Sequence, residues 1–307
     1  KTIIYIALQI TPGLNYLWNT SCYFPIRAMI VKQARYLQAR KKRYNETKRI
    51  RRMQMSYMKA AVVLSLSVLL GAGVYAEQTV GIDVSADFFG KYVWRGQNLN
   101  DASVFQPGIG ITYGGLTGSI WGSLDMTGEN DNRYEFTEYD FSIEYSASLP
   151  GAEGVGFSVG AINYRFPSLT PTSTTEVYCG FNFELPLSPS VTVYRDVDQA
   201  DGTYVSFGVG HSFEKAFQLS TDIPVGMEIG ASVGWGDSKY NNFYWGVDNS
   251  KMNDLILSLS FPLKVNGWTI SPSVNYVTLL SNDIRSTDVY DKKSDYVFAG
   301  VMLSRSF

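Results

Sequence analysis

The residues able to do covalent chemistry are few, and their spacing limits what they could do. One histidine, His211, stands in 307 residues, with two cysteines, Cys22 and Cys179. A lone imidazole cannot form a His cluster for a metal, and one cysteine after residue 76 gives no disulfide framework there. A hydrolase would need His211 as base, oriented by a third group and aimed at a nucleophile. His211 instead shares parity with Val205, Phe207, Val209 and Phe213, so it reads as a bland side chain on an apolar face. The segment "DVDQADG" (Asp196 to Gly202) hints at a cation loop, but its acids fall at positions 1, 3 and 6, out of step with a calcium loop. It reads as an acidic turn. Cys179, between Val177 and Phe181, reads as a small apolar residue. No catalytic residue, cofactor or metal is expected.

The remaining chemistry is that of fixed charge. Asp83, Asp87, Glu138, Asp140, Glu144, Glu176, Glu184, Glu228 and Asp254 recur on the polar parity of alternating segments, and few bases share that parity. In a wet lumen such carboxylates favour cations. In a lumen plugged by side chains, some must be protonated or paired, because isolated buried charge is costly. Arg95 joins them in the cluster Tyr92, Trp94, Arg95. Two readings of that cluster stay open: a gate or binding group at a pore mouth, or an aromatic girdle with an arginine paired for stability.

The elements that must position these residues alternate with period two. In "VGMEIGASVGW", Val225, Met227, Ile229, Ala231, Val233 and Trp235 share one face, with Gly226, Glu228, Gly230, Ser232 and Gly234 on the other. The segments 139–147, 176–185 and 254–263 repeat the pattern. Gly and Ser dominate the polar faces and aromatics sit at segment ends, which favours a membrane barrel over a β-sandwich. Twelve strands are expected, at 80–96, 103–114, 117–126, 134–148, 155–166, 174–186, 190–197, 203–213, 225–236, 252–263, 268–279 and 295–307. The fold expectation is all-β: a 12-stranded antiparallel up-and-down transmembrane β-barrel. Connections sort into short inward turns and long polar outward loops, notably 237–251 and 280–294. The 214–224 connection is long for an inward turn. It either extends its strands or folds as a flap. The last strand, "SDYVFAGVMLSRSF", must pair with the first to remove both edges. Its Phe307 reads as a signal for barrel-assembly machinery.

Charge divides the chain. Residues 1–76 hold 13 Lys and Arg and one acid, Glu46; residues 77–307 hold 13 bases and 27 acids. The acidic part argues against a nucleic-acid partner. "MKAAVVLSLSVLLGAGVYA", residues 58–76, has a charged start, an apolar run and small residues before Glu77, the pattern of a secretory signal peptide. Residues 1–57, with "RKKRYNETKRIRR", read as upstream translation or a disordered basic extension. The barrel is expected over 77–307.

The stretch "DVSADFFGKYVWRGQNLNDASVFQPGIGITYGGLTGSIWGSLD" resembles a family of bacterial outer-membrane proteins described as TorF-type porins. The shared elements are "YVWRG" (Tyr92 to Gly96), Gln97 and Asn98, then "QPGI" and "GSIWGS". The resemblance is clearest over 80–126. It implies a barrel and a pore, and brings no catalytic residue.

The expected function is an outer-membrane barrel forming a narrow, cation-preferring pore for small solutes. The alternative is a non-conducting structural or surface-interaction barrel that uses its extracellular loops. A barrel hydrolase comes third. Expected partners are outer-membrane lipid, lipopolysaccharide, assembly machinery and small solutes or cations. Monomer and trimer both fit the pattern.

Overall fold

The computed structural model describes residues 79–307 apart from 168, 170–172 and 221–222. The signal-peptide and basic-extension expectations therefore lie outside the described residues. The strands are β1 (Gly81–Phe89), β2 (Tyr92–Trp94), β3 (Gln97–Asn100), β4 (Val104–Tyr113), β5 (Leu116–Asp125), β6 (Phe136–Ser148), β7 (Val155–Arg165), β8 (Ser173–Phe183), β9 (Ser190–Asp196), β10 (Thr203–Ser220), β11 (Ile223–Gly236), β12 (Lys251–Ser260), β13 (Leu263–Val265), β14 (Trp268–Leu279) and β15 (Asp295–Ser306). Two helices follow in the long loops, α1 (Ser238–Trp245) and α2 (Asn282–Arg285).

Twelve of these strands close a ring. Each pairs antiparallel with its neighbour, β10 pairs with β11, and β1 closes against β15 with Phe88 opposite Val301. Closure satisfies every ladder and leaves no edge, the condition for strands in hydrocarbon. The side-chain period of two then sorts the residues. Ile109, Ile111, Ile120, Phe141, Ile143 and Val209 point outward and are exposed. An apolar belt of this size is not left bare to water in a soluble protein, so lipid is its solvent. The chain is a transmembrane barrel of the outer-membrane type, and it belongs in the bacterial outer membrane. His211 lies on this exposed outer face, its ring edge-on to Phe213.

Three elements differ from the sequence expectation. The first strand does not run to residue 96. It ends at Phe89, and β2 and β3 form a separate two-stranded hairpin. Gly90 makes the last wall contact, its amide donating to the Ala299 carbonyl at 2.9 Å, and the positive-φ pair Arg95–Gly96 turns the following residues back on themselves. The 214–224 connection extends both strands: β10 runs to Ser220, and residues 211–220 are all exposed. Finally, Pro262 cannot donate to a ladder, so the predicted 252–263 strand divides into β12 and the short β13.

Candidate functional site: a hairpin latched across the lumen

The β2–β3 hairpin turns on two residues, Arg95 (φ 48°) and Gly96 (φ 81°). Such turns need positive φ at both positions and normally take Asn or Gly. Arginine here carries a backbone cost of roughly 1–2 kcal/mol, so its side chain must be held by something worth more. Gly96 meets a separate demand, because a Cβ there would strike the side chains of Leu279 and Asp254.

Arg95 is held by the far wall. Its Nη1 and Nη2 donate to Glu176 Oε1 and Oε2, each at 2.8 Å. Glu176 stands on β8, five steps around the twelve-strand ring from β1, so the pair spans the lumen. The guanidinium also lies 4.3 Å from the ring centres of Trp94 and Tyr194 and 4.4 Å from that of Tyr204. The Arg95 side chain is 9% exposed and that of Glu176 1%. Burial at this level makes the pair all-or-nothing: intact it is tolerated, and broken it leaves a naked charge.

The lumen carboxylates are matched to tyrosines. Tyr164 donates to Glu176 Oε2 at 2.9 Å, Tyr92 to Glu138 at 3.0 Å, Tyr178 to Glu144 at 2.8 Å and Tyr204 to Asp254 at 3.0 Å. The rings form a track, with Tyr178, Tyr194, Tyr204, Tyr240 and Tyr244 at successive centroid spacings of 5.5, 6.3, 5.2 and 4.6 Å. Glycines make room for them. Gly160, opposite Tyr178, and Gly234, beside Tyr204, could not carry a Cβ without striking those side chains. Sequence reasoning found the acids by parity but missed these partners. The signal was present: Tyr164, Tyr178 and Tyr204 share the inward parity.

The loops pack around the same end. Asp237 caps α1 by accepting from the Tyr240 amide at 2.8 Å, and Gly246 ends it at φ 71°. Tyr240 is fully buried, its ring tilted against that of Tyr204 at 5.2 Å, and it accepts a hydrogen bond from Gln97 at 3.3 Å. Trp245, Leu279 and Ile284 form a small core with Tyr290. Loops 237–251 and 280–294 are therefore packed on each other and on the barrel mouth. At the hairpin's base, Lys91 pairs with Asp101.

The remaining expected residues separate by depth. Glu138, Glu176 and Asp254 are buried in the outer half with Arg95. Asp140 is partly buried, with its Oδ1 unpartnered, and Glu144 lies mid-lumen. Asp87 is half-buried. Asp83 accepts from Ser306 at 2.5 Å, and Glu228 accepts from Ser260 at 3.0 Å, both on exposed side chains. Glu184 lies in the turn beyond β8. Arg95 is not a mouth residue of the first strand but the tip of the inward hairpin. The inner half contrasts with the outer: a cavity of about 820 Å³ lined by Ser212, Glu228, Gly230, Ser258, Ser260 and Ser273 among others. Asp196, the first acid of "DVDQADG", accepts from Thr174 at 2.6 Å and from the Asp198 amide at 2.8 Å. No metal-binding group of acids, His and Cys occurs among the described residues. Phe307 pairs through its backbone with Ile82 and lies under Arg305 at 4.6 Å.

No family model matches the chain, and no curated protein sequence matches it. Among solved structures, it is similar to the NanC porin (10% identity, 74% of this chain and 98% of that one, TM-score 0.41). It is similar to the KdgM porin in complex with disordered oligogalacturonate (10%, 74% and 99%, 0.42) and to LpxR from Salmonella typhimurium (8%, 73% and 99%, 0.43). None reaches a TM-score of 0.5, and none identifies a substrate for this chain.

Proposed function

We propose that this barrel is a gated outer-membrane channel for small solutes with a preference for cations. The β2–β3 hairpin is its gate and Arg95–Glu176 the latch. The observation that carries the reading is the bidentate ion pair spanning the lumen from a two-residue turn. A wall built only for stability has no need to fetch its cation from the opposite side on a separate hairpin. The inner half is a vestibule of mixed lining, serines such as Ser258 and Ser273 beside apolar residues such as Leu187 and Met302, with Glu228 at its wall. Fixed carboxylates in such a wall concentrate cations and repel anions. The TorF-type resemblance belongs with this reading: "YVWRG" forms the hairpin's first arm and tip, and Trp121 of "GSIWGS" packs on Tyr92 at 5.8 Å. Insertion by assembly machinery through the Phe307 strand, and contact with lipopolysaccharide, are part of the same proposal.

A second reading has its own observation. The outer half of the lumen is filled by side chains that are almost fully buried, as in a structural barrel that never conducts. Single-channel recording separates the two. The wild-type barrel in a planar bilayer should show brief cation-selective openings, and replacement of 91–101 by a short Gly-Ser link should leave it open. A hairpin-deleted barrel that folds and stays silent would sink the channel reading.

A further inference from the structure

We infer that the wall around Glu176 is a binding site for guanidinium-bearing solutes, which Arg95 occupies in cis. This deepens the channel reading and rests on it for its physiological sense. The site is complete without the hairpin. Four adjacent strands supply it: Tyr164 from β7, Glu176 from β8, Tyr194 from β9 and Tyr204 from β10. Glu176 presents both oxygens to two parallel N–H donors at 2.8 Å, the fork geometry that a planar guanidinium matches and an ammonium does not. Tyr164 fixes the carboxylate by donating to Oε2 at 2.9 Å. Tyr194 and Tyr204 offer faces at 4.3 and 4.4 Å from the guanidinium carbon, and their attraction to a cation grows as water is excluded. Asp254 holds the Tyr204 hydroxyl at 3.0 Å, which orients that ring.

The tip of the hairpin behaves as a tethered ligand. Its backbone adopts positive φ at Arg95 to deliver the side chain, and a solute with the same head group competes for the same carboxylate and rings. Arginine and arginine-containing peptides are the chemical class. Along the track, Glu144 with Tyr178 supplies a second carboxylate–tyrosine pair deeper in the lumen, 5.5 Å ring to ring from Tyr194.

The test empties the site and refills it. Arg95→Ala protein, folded in detergent micelles, is titrated with methylguanidinium and with methylammonium at millimolar concentration, reading calorimetric heat and thermal midpoint. Methylguanidinium is expected to bind at least tenfold more tightly than methylammonium and to raise the midpoint. In Arg95→Ala/Glu176→Gln that preference should fall to within about twofold. Should Arg95→Ala not fold, Arg95→Met keeps the side-chain stem packed and carries the same titration. Equal binding of the two cations, no binding of either, or a preference that survives Glu176→Gln overturns the inference. The readout needs no conductance, so a silent barrel that prefers methylguanidinium would refute the channel and keep the site.

Discussion

Glu176→Gln is the most informative single change. It keeps shape and removes the charge that Arg95 faces at 1% exposure. Truncating one partner of a buried pair typically costs about 3–5 kcal/mol, because the other charge is stranded. Here Trp94, Tyr194 and Tyr204 still face the guanidinium, which softens the loss toward the lower end. A cost of about 3 kcal/mol falls on the latched state alone, since an unlatched Arg95 regains water. That corresponds to roughly a 150-fold shift in the closed-to-open ratio. The assay is the open fraction of single channels at fixed voltage and salt, with heat-modifiable migration as the check on folding. Arg95→Met/Glu176→Leu supplies the control. With neither charge left to strand, it should stay more closed than Glu176→Gln. An open fraction for Glu176→Gln within twofold of wild type would refute the latch, whatever else the hairpin does.

Four further outcomes follow from the geometry. Tyr204→Phe removes the hydroxyl that serves buried Asp254 at 3.0 Å, and should cost about 1–3 kcal/mol in urea unfolding; a loss below 0.5 kcal/mol, on the order of surface changes, would mean the pair is idle. Gly202 abuts the backbone of Tyr240 so closely that a Cβ has no space. Gly202→Ala should displace α1 and cost about 1–3 kcal/mol, and unaltered stability would show that α1 is not seated there. Glu144→Gln combined with Glu228→Gln should move the reversal potential in a salt gradient toward zero; an unchanged potential would place selectivity elsewhere. At the hairpin base, the Lys91 hydrogen bond holds the Asp101 carboxyl below its usual range. A depressed folded value means the pair stabilises at pH above the unfolded value and is lost as pH falls through the folded one. Protease nicking of the hairpin should therefore stay slow from neutral pH into the ordinary carboxylate range and accelerate only below it. Asp101→Asn should abolish that acid step, and its persistence in the variant would assign the step to another group.

How much was legible in advance differs by element. Alternation is a local property, so the twelve barrel strands and their outward faces could be read from residues such as Ile109, Phe141 and Val209. Most observed ends lie within two or three residues of the expected ones. The parity count also put Glu138, Glu144, Glu176 and Asp254 inside. The hairpin was harder. "YVWRGQN" continues the alternation of β1, and only Gly90 and the Arg-Gly pair hint at a break and a two-residue turn.

The class of structure follows from local pattern, because period-two alternation, short turns and the lack of helical periodicity leave few alternatives for burying backbone in lipid. The same alternation places the acids on the inward face. What neutralises their charge depends on contacts between distant segments. Arg95 and Glu176 lie 81 residues apart, and Tyr204 and Asp254 lie 50 apart. Ring closure brings Arg95 to Glu176 on the far wall, and the pairing of β10 and β12 to either side of β11 sets Tyr204 beside Asp254; nothing in the local pattern of either segment encodes its partner. Whether an inward carboxylate is a wet filter or one half of a buried latch depends on which side chain meets it across the lumen.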